Sequence, residues 1–429
     1  MSAEPPPLVV PFRGERYGAV ARLSALIAPP YDVISQAERA RLAALDAHNI
    51  VHVMLPERAP GSDRYEHAAA LLAQWRGAGV LVRDGDPAVY VMAQDFALPS
   101  GEHRTRVGMF AAVSAEPYET GRVRPHERTH SGPKADRLAL LRAAATNVES
   151  IFLIAPDPDR VLAAALGEVV TKRPPDARAE LGGVGIRFWV VGGEAASRLT
   201  FPASRFPLYI ADGHHRYETA VTYARERPGG EADRVLAFVV PAGDPGLAIL
   251  PTHRVVFGAG RDVTKLIAQW RTWFDVGRVA PCADRLERLG ELSRGGGGGG
   301  GGGGRTACIV AFPDGNDVSL VLKPDAPLDE VPELGRTPAV RALDVARIEA
   351  LVVQAILGAG TATPSVTYTA DARAAFDAVR TGGAAVAVLL EAPKVEEVFA
   401  VADAGDVMPP KSTYFVPKVP SGLVLRPLA

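Results

Sequence analysis

Groups that can hold a phosphate are concentrated in five consecutive residues of this chain: Asp212, Gly213, His214, His215 and Arg216. The apolar run at 206–211 indicates a buried strand, and apolar residues recur at helical spacing from 217 to 224. Basic side chains in a first helical turn oppose the helix dipole, at a cost of roughly 0.3–1 kcal/mol each. We therefore expect an anion there, and a phosphate held by helix amides, imidazoles and guanidinium accounts for the pattern.

A plainer interpretation of the same residues stays open. Asp212 could cap a helix whose two histidines lie in solvent, and motifs this short often match by chance. Neighbouring side chains on a helix point about 100° apart, so His214 and His215 cannot easily chelate one metal ion together. Metal ligation by this histidine pair is therefore not expected.

A second group of candidate residues lies at 123–138, in a segment rich in polar groups and bounded by proline and glycine. The pattern predicts a helix over 133–145 that carries Lys134 and Arg137 on one side. Two cations near a helix start again favour an anion, although the aspartate between them could supply ordinary surface pairing.

Possible ligands and bases in this segment are His126, His130 and Glu127. The two histidines are four residues apart, a spacing that suits a metal ion only on a helix, and the flanking prolines leave little room for one. Metal binding by this pair is therefore not expected. Glu127 is the better candidate for a base or a Mg²⁺ ligand, and a solvated loop carboxylate fits its position equally well.

Two further clusters could contribute to a composite anion site. His253 and Arg254 follow a strand pattern and could lie beside the helix start, with an ordinary edge-strand histidine as the default. Lys411, Ser412 and Thr413 resemble the end of a phosphate-binding loop, but the glycines of a Walker A motif are absent. A P-loop is therefore rejected.

The elements that position these clusters are strands and helices, and the fold expected for the chain is α+β with a mixed-sheet core. The alternation of helix and strand after residue 306 implies an α/β layer there. Helices are expected at 36–45 (in a capping box of Ser35 and Glu38), 62–76, 133–145, 160–166, 214–227, 343–357 and 370–380. Strands are expected at 48–55, 88–96, 105–113, 151–155, 186–191, 206–211, 235–240, 246–250, 307–312, 318–322, 365–369 and 384–390.

An unbroken run of ten glycines at 295–304 interrupts this alternation and would span roughly 17 Å as a random coil. We expect a main α+β domain at 1–290, a glycine-rich linker or loop at 291–306, and a C-terminal α/β lobe at 307–429. A linker between domains and an expanded loop inside one domain both remain open. Cys282 and Cys308 flank the run without ligand spacing and are expected to be thiols of a reducing compartment.

The composition is ordinary for a globular protein of 429 residues, with 47% hydrophobic and 22% charged residues and a formal net charge of -2. This balance gives no basic footprint for nucleic acid, which is not an expected partner. The longest uncharged run, 350–370, contains proline and glutamine and predicts no membrane span. Since no signal-peptide pattern occurs either, we expect a cytoplasmic protein. The oligomeric state stays open.

Taken together, these clusters resemble the bacterial family known as domain of unknown function 1015. The resembling segments lie in order along nearly the whole chain, at 29–34, 126–129, 133–138, 211–220, 251–254 and 408–415. This resemblance is specific, but it implies no activity.

A shorter resemblance does imply one. The sequence Gly213-His214-His215-Arg216 is similar to the nucleotide-phosphate motif of the ParB and sulfiredoxin superfamily, which includes an archaeal free-serine kinase. The resemblance implies a strand–turn–helix phosphate site in which these four residues bind phosphate and Asp212 acts as base or metal ligand. The motif of this chain lacks the cysteine that sulfiredoxin chemistry needs. No helix-turn-helix pattern supports loading onto DNA in the manner of ParB.

The function expected from these residues is a nucleotide-dependent phosphotransferase acting on a small hydroxylated metabolite, with free serine as the most specific candidate. Phosphoryl transfer needs charge clamping, Mg²⁺ and an oriented hydroxyl. A non-catalytic nucleotide-binding regulatory module of the ParB-like superfamily and a partner-binding scaffold are the alternatives.

Each candidate residue has an expected role in this scheme, and two of them have two. Asp212, Glu127 and His214 are expected to act in catalysis, and the first two also to hold Mg²⁺. The residues expected to bind a nucleoside di- or triphosphate are Gly213, His215, Arg216, Lys134, Arg137, His253, Arg254, Lys411, Ser412 and Thr413.

Overall fold

The computed structural model describes residues 5–58, 61–129, 131–258, 262–279, 285–294, 305–334, 337–358 and 364–428, apart from the side chains of Ser131 and Pro133. The chain divides into two compact units. The first unit comprises residues 1–248 and 417–429, and the second comprises residues 249–416. His130, Cys282 and the glycine run at 295–304 lie outside the described residues.

The strands of the described residues are β1 Val9–Val10, β2 Glu15–Tyr17, β3 Leu81–Arg83, β4 Ala88–Ala97, β5 His103–Ser114, β6 Val123–Arg124, β7 Thr146–Asn147, β8 Ile151–Ala155, β9 Ala177–Leu181, β10 Val184–Gly192, β11 Leu208–Asp212, β12 Arg234–Pro241, β13 Ala248–Leu250, β14 His253–Phe257, β15 Phe274–Arg278, β16 Ala307–Ala311, β17 Val318–Leu322, β18 Ser365–Thr369, β19 Val386–Leu390, β20 Tyr414–Val416 and β21 Arg426–Pro427.

The helices of the same residues are α1 Leu23–Leu26, α2 Gln36–Leu45, α3 Val51–Met54, α4 Arg64–Gly77, α5 Ser131–Ala144, α6 Val161–Lys172, α7 Gly193–Ala203, α8 His214–Glu226, α9 Val263–Trp270, α10 Arg285–Arg294, α11 Pro338–Ala342, α12 Asp344–Ile348, α13 Gln354–Gly358, α14 Ala372–Arg380 and α15 Val395–Asp403. A π-helical turn, Glu349–Val353, joins α12 to α13. Within the described ranges, no helix has the length and apolar character needed to cross a membrane.

The first unit is built on a nine-stranded mixed sheet in the order β6-β11-β8-β12-β5-β4-β10-β9, with β1 paired to β5. The β11–β6 and β12–β8 pairs are parallel, and the other pairs of this sheet are antiparallel. Alternate strand residues pack with apolar residues of α6, α7 and α8 in one hydrophobic cluster. The expected α+β class with a mixed-sheet core is therefore confirmed.

The strand–turn–helix expected around residues 208–220 is formed by β11, Gly213 and α8. The apolar residues of β11 are buried in the sheet. In α8, Tyr217, Ala220 and Ala224 face the same core, which matches the spacing read from the sequence. The helix ends at Glu226, just before Pro228.

The second unit has a six-stranded sheet in the order β15-β17-β16-β19-β14-β18. Every pairing in that order is antiparallel, whereas α/β layers usually contain parallel strands. Its two faces carry separate hydrophobic clusters, since Cys308 and Val310 of β16 pack with α9 and α12, and Ile309 packs with α10 and α14. Helix and strand thus alternate here as expected.

The boundary between the units differs from the expected one at 291–306. Before the glycine run, β14 and β15 pair with β19 and β17, which follow it. The N–H of Arg305 donates to the carbonyl oxygen of Ser293 at 2.8 Å and joins the two flanks of the run. The run therefore connects two elements of one sheet unit, which agrees with the loop alternative rather than with a linker between domains.

One expected strand, at 48–55, is wrong, because residues 51–54 form the short helix α3. Oδ1 of Asn49 accepts from the N–H of Val51 at 2.9 Å, and Oδ1 of Asp46 accepts from the N–H of His48 at 2.9 Å. These local hydrogen bonds start a helix despite the β-branched residues. The capping of α2 by Ser35 and the β4–β5 hairpin are confirmed.

Gly108 should be irreplaceable at the centre of the first sheet. A Cβ at this position of β5 would lie 2.7 Å from the carbonyl oxygen of Val239, so Gly108→Ala should lower the free energy of unfolding by about 1–3 kcal/mol. At Gly185 of β10 the nearest atom to a Cβ is 3.6 Å away. Gly185→Ala is therefore the matched control, and equal loss of stability of both variants in urea denaturation would contradict the argument.

Candidate functional site

The carboxylate of Asp212 lies at the end of β11 and is held from two sides. Its Oδ1 accepts from the N–H of Gly213 at 2.9 Å, and its Oδ2 lies 3.2 Å from Nζ of Lys418 and 3.7 Å from Nη2 of Arg216. Burial raises the pKa of this carboxyl, but the two cations outweigh burial and bring the pKa down to about 2. Asp212 is therefore negatively charged throughout the physiological pH range.

The cap position of α8 is occupied by a glycine. The N-cap residue is Gly213, at φ 91° and ψ 30°, and no side chain of the described residues caps the helix. The alternative in which Asp212 caps the helix is therefore not the one found. Glycine populates this left-handed region readily, and a Cβ here would lie 3.1 Å from the guanidinium carbon of Arg216. The positive end of α8 thus receives no acceptor from its cap residue.

Two histidine rings pack edge to face at the start of α8, with the centroids of His126 and His214 4.8 Å apart. Nε2 of His214 accepts from the backbone N–H of His126 at 3.3 Å, which assigns the proton of His214 to Nδ1, 3.8 Å from Oε2 of Glu127. Nδ1 of His126 donates to the carbonyl oxygen of Ile210 at 2.8 Å. These bonds fix the loop after β6 against β11 and α8.

Both histidines are neutral at pH 7. Burial lowers the pKa of His126 to about 4, and burial together with the neighbouring His126 ring lowers the pKa of His214 well below its usual value. The expected positive charge on the His214 imidazole is therefore wrong. The positive charge described around Asp212 comes from Arg216 and Lys418.

The guanidinium of Arg216 is buried, with only 10% of the side chain exposed. Burial lowers its pKa, but the carboxylates of Asp212, Glu149 and Asp32 outweigh burial and raise it, so the group stays charged. Its Nη1 donates to the carbonyl oxygen of Ser150. The planar fork is thereby held in one orientation within the first turn of α8.

Arg137 is occupied by partners of its own unit. Its Nη1 donates to the carbonyl oxygen of Met54 at 2.9 Å and lies 3.3 Å from Oε2 of Glu149. The guanidinium carbon lies 4.3 Å from the centre of the Tyr31 ring, and the N–H of Tyr31 donates to Oε1 of Glu149 at 3.0 Å. Arg137 therefore positions the turn around Tyr31 and acts on Arg216 through Glu149.

Lys134 lies beside α8, but its ammonium group pairs with a carboxylate. Its Nζ donates to Oε2 of Glu218 at 2.8 Å, and Oγ1 of Thr129 donates to the same oxygen at 2.7 Å. Glu218 lies one turn after His214 on α8. His215 is half-buried in the first turn, and its carbonyl oxygen accepts from Oγ1 of Thr219 at 2.7 Å.

The other five candidate residues, His253, Arg254, Lys411, Ser412 and Thr413, belong to the second unit and have local contacts there. Nε of Arg254 lies 3.2 Å from Oε2 of Glu349, and Nδ1 of His253 accepts from the N–H of Leu390 at 3.4 Å. Burial lowers the pKa of His253 to about 4, so the ring is neutral. Oγ of Ser412 donates to the carbonyl oxygen of Pro409 at 2.6 Å. Lys411 is exposed, at φ 57°.

Three residues that interact with Asp212 or Arg216 were not among the candidates identified from the sequence: Lys418, Glu149 and Ser150. Lys418 contacts Asp212 over a separation of 206 residues, which no local pattern can indicate. Glu149 had a detectable signal, because it is a lone carboxylate directly before the apolar strand β8 and is buried. Ser150 contributes only a backbone carbonyl, so its side chain carries no signal.

In the part of the chain that the structure describes, no group of three or more His, Cys, Asp or Glu side chains is arranged to hold a metal ion. Asp212 and Glu127 are two carboxylates on either side of His214, which interacts electrostatically with the first and lies 3.8 Å from the second. Mg²⁺ in nucleotide sites commonly takes one or two carboxylates together with phosphate oxygens and water. The described residues thus offer two carboxylates near His214.

Acid should destabilise the protein through its buried histidines. The pKa of His126 is about 4 in the folded chain, whereas an unfolded histidine titrates near 6.5. Between these values the unfolded chain binds more protons, so each unit of falling pH lowers the free energy of unfolding by about 1.4 kcal/mol per such histidine. In urea denaturation at about pH 7, 6 and 5, His126→Gln should flatten this dependence.

The control for that prediction is His103→Gln, which replaces an exposed histidine at the start of β5. It should leave the pH dependence of the wild-type protein unchanged. If the free energy of unfolding changes with pH in the same way for wild type and His126→Gln, His126 takes up a proton as readily in the folded state as in the unfolded state. That result would contradict the effect expected from its burial.

Several solved structures have a distantly similar fold. A free serine kinase in complex with AMP is 14% identical, covering 72% of this chain and 87% of that chain, with a TM-score of 0.35. A conserved hypothetical protein from Pyrococcus furiosus is 14% identical over 73% of this chain and 93% of that chain, with a TM-score of 0.34. SbnI with a C-terminal truncation, from Staphylococcus aureus, is 12% identical over 74% and 87%, with a TM-score of 0.36. Likenesses this distant assign no function.

Comparison of the sequence itself gives the family. No curated protein matches this chain. A family model described as a protein of unknown function (DUF1015) matches residues 9–346. That range contains β11, Gly213, α8 and the loop that carries His126 and Glu127. Because the match covers well over half of the sequence, the chain belongs to the DUF1015 family.

Proposed function

We propose that the first unit binds a nucleotide at the start of α8 and transfers a phosphoryl group to a small hydroxylated metabolite, with free serine as the leading candidate. The proposal rests on one observation. A buried, charged guanidinium, Arg216, lies in the first turn of a helix whose cap residue is the left-handed glycine Gly213. Helix N–H groups and a fixed guanidinium are a recurrent combination for phosphate.

The two acidic residues have different roles in this proposal. A carboxylate with a pKa of about 2, such as Asp212, is a weak proton acceptor, because a good general base has a pKa near the working pH. Asp212 therefore serves as an anchor for Lys418 and Arg216 and as a Mg²⁺ ligand. Glu127, partly exposed and beside Nδ1 of His214, is the group that takes the proton of the acceptor hydroxyl.

Mg²⁺, when bound, would neutralise charge on the transferred phosphoryl group. The residues of this chain supply the remaining contributions. The N–H groups of the first turn of α8 and the guanidinium of Arg216 orient the phosphates. The Nδ1–H of the neutral His214 faces Glu127 at 3.8 Å, close enough to hydrogen-bond to that carboxylate after a small shift when the ligand binds.

A nucleotide-sensing module without turnover is the second candidate. The favouring observation is that cations expected to clamp phosphate already have partners in the protein, as Lys134 has Glu218 and Arg137 has Glu149. A site with fewer available cations can still bind a nucleotide through helix amides and Arg216. It would then lack the charge stabilisation that transfer requires.

Nucleotide binding should depend on the fork of Arg216. Arg216→Lys keeps a positive charge but loses the planar donor pair, and loss of one charge-assisted hydrogen bond of about 1.5–3 kcal/mol weakens affinity about tenfold or more. Calorimetric titration of ADP and ATP with Mg²⁺ measures this change. Arg225→Lys, at an exposed position near the end of the same helix, is the matched control and should bind like wild type.

If nucleoside phosphates plus Mg²⁺ cause no thermal shift of the wild-type protein, both the phosphotransferase and the nucleotide-sensing module are wrong. If Arg216→Lys and Arg225→Lys bind nucleotide with equal affinity, the nucleotide does not bind at the start of α8 and must bind elsewhere.

Turnover should depend on both acidic residues, Glu127 and Asp212. Nucleotide binding should depend on them less. With serine, nucleotide and Mg²⁺ as substrates, Glu127→Gln should lower phosphoserine formation by a factor of about 10²–10⁴, the usual contribution of a general base. Asp212→Asn should also abolish turnover, since it removes the proposed Mg²⁺ ligand and the carboxylate that anchors Arg216 and Lys418. Glu119→Gln, on the exposed surface of the same unit, is the control.

If the wild-type protein binds nucleotide but neither releases phosphate nor phosphorylates serine or other hydroxylated metabolites, the regulatory module is the correct function. If Glu127→Gln retains full turnover, another residue accepts the proton and the role of Glu127 is wrong.

A further inference from the structure

A separate charged cavity lies within the second unit. It has a volume of about 580 Å³. Its walls come from the end of α10, the residues before β16, the start of α12 and the connection between β19 and α15. This volume is sufficient for a small metabolite, and it shares no lining residue with the candidate site of the first unit.

Both signs of charge line this cavity. The cations are Arg294, Arg305, Arg347 and Lys394, and the carboxylates are Asp344, Glu391 and Glu397. Two of the cations have acidic partners, since Arg347 lies 3.9 Å from Asp344 and Arg305 lies 3.6 Å from Asp275.

The remaining charges of the cavity are less well matched. Among the described residues, Arg294, Lys394 and Glu391 make no ion pair within 4 Å. Glu397 uses its Oε2 to accept the N–H of Lys394 at 2.8 Å, which caps α15 rather than neutralising an ammonium group. Arg294 and Lys394 are exposed to solvent, and Arg294 interacts electrostatically with Glu391 beyond 4 Å, so both signs of charge line one cavity without close pairing.

The carboxylates also destabilise one another. Burial raises the pKa of Asp344, Glu391 and Glu397 and outweighs the lowering effect of Arg294 on Glu391 and of Lys394 on the other two. The negative charge of Asp344 also raises the pKa of Glu391 and Glu397. A positive group placed among them would be stabilised. The Oγ of Ser293 lines the same cavity, is buried, and has no hydrogen-bond partner among the described residues. It could accept from, or donate to, a polar ligand.

A ligand with a single charge fits this lining poorly. An anion would contact the arginines but would also approach three carboxylates, and a cation would meet the opposite problem. A molecule that carries an ammonium group and a carboxylate a few bonds apart satisfies both sets at once. Free α-amino acids have this arrangement at neutral pH.

We propose that this cavity binds a free α-amino acid as its zwitterion, with the ammonium group against Glu391 and Asp344 and the carboxylate against Arg294 and Lys394. This is a second site, in a different unit from the proposed phosphotransferase site. It gives the protein a way to respond to amino-acid supply independently of catalysis.

The test uses the full chain and the common L-amino acids as probes. Thermal shift selects the best binder, and calorimetric titration measures its affinity. Glu391→Gln and Arg294→Gln should each weaken that affinity about tenfold or more, because each removes one charge-assisted contact. Glu396→Gln, next to the cavity residue Glu397 but exposed, and Arg288→Gln, exposed on α10, are the matched controls and should bind like wild type.

Derivatives of the same amino acid test the zwitterion itself. The N-acetyl derivative lacks the ammonium group and the amide derivative lacks the carboxylate, and each should bind about tenfold more weakly or not at all. Hydrogen exchange should slow at 342–347 and 391–397 on binding. Equal binding of either derivative would show a site for one charge only and overturn the proposal.

Two further outcomes would overturn it. One is the absence of binding by any amino acid at millimolar concentration. The other is binding that persists unchanged in Glu391→Gln and Arg294→Gln but is lost in Asp212→Asn, which places the amino acid in the first unit as a substrate. Failure of the phosphotransferase proposal leaves this test intact, since no step of it requires turnover.

Discussion

An ion pair between the carboxylate of Asp212 and the ammonium of Lys418 joins the end of β11 to the last segment of the chain. Removing one partner of a buried pair leaves an uncompensated charge, at a cost of roughly 3–5 kcal/mol. Lys418 is held in place because β21 pairs with β7, and because Arg426 donates to the carbonyl oxygen of Arg234 at 2.8 Å. The start of α8 thus depends on a contact between two residues that are 206 positions apart in the sequence.

The electrostatics of α8 differ from a simple cluster of cations. His214 is neutral and buried, and its ring accepts a hydrogen bond from the His126 backbone and lies 3.8 Å from Glu127. The charge resides in Arg216 and Lys418, and both approach Asp212. An incoming phosphate would therefore compete with a carboxylate for these cations while keeping the helix amides for itself. In the proposed function, this balance would decide whether the site turns over a nucleotide or only senses it.

Local patterns were sufficient where one segment makes its own contacts. The strand, glycine and helix at 208–226 were predicted correctly, since buried apolar residues, a left-handed glycine and helical periodicity all agree there. The expected strand at 48–55 failed because side-chain hydrogen bonds of Asp46 and Asn49 favour a helix over β-branched propensity. The two units divide the chain after residue 248 and again after residue 416 and not at the glycine run, because strand pairings across that run are non-local.

By itself the sequence determined which residue types crowd the start of α8, the left-handed turn at Gly213, and most helices and strands, because each depends on neighbours within a few residues. Only the tertiary structure decided how those residues are charged and paired. Burial makes His126 and His214 neutral. Long-range contacts pair Lys134 with Glu218 and Lys418 with Asp212. Burial and long-range pairing are properties of the assembled sheet and helices, and no local spacing encodes them.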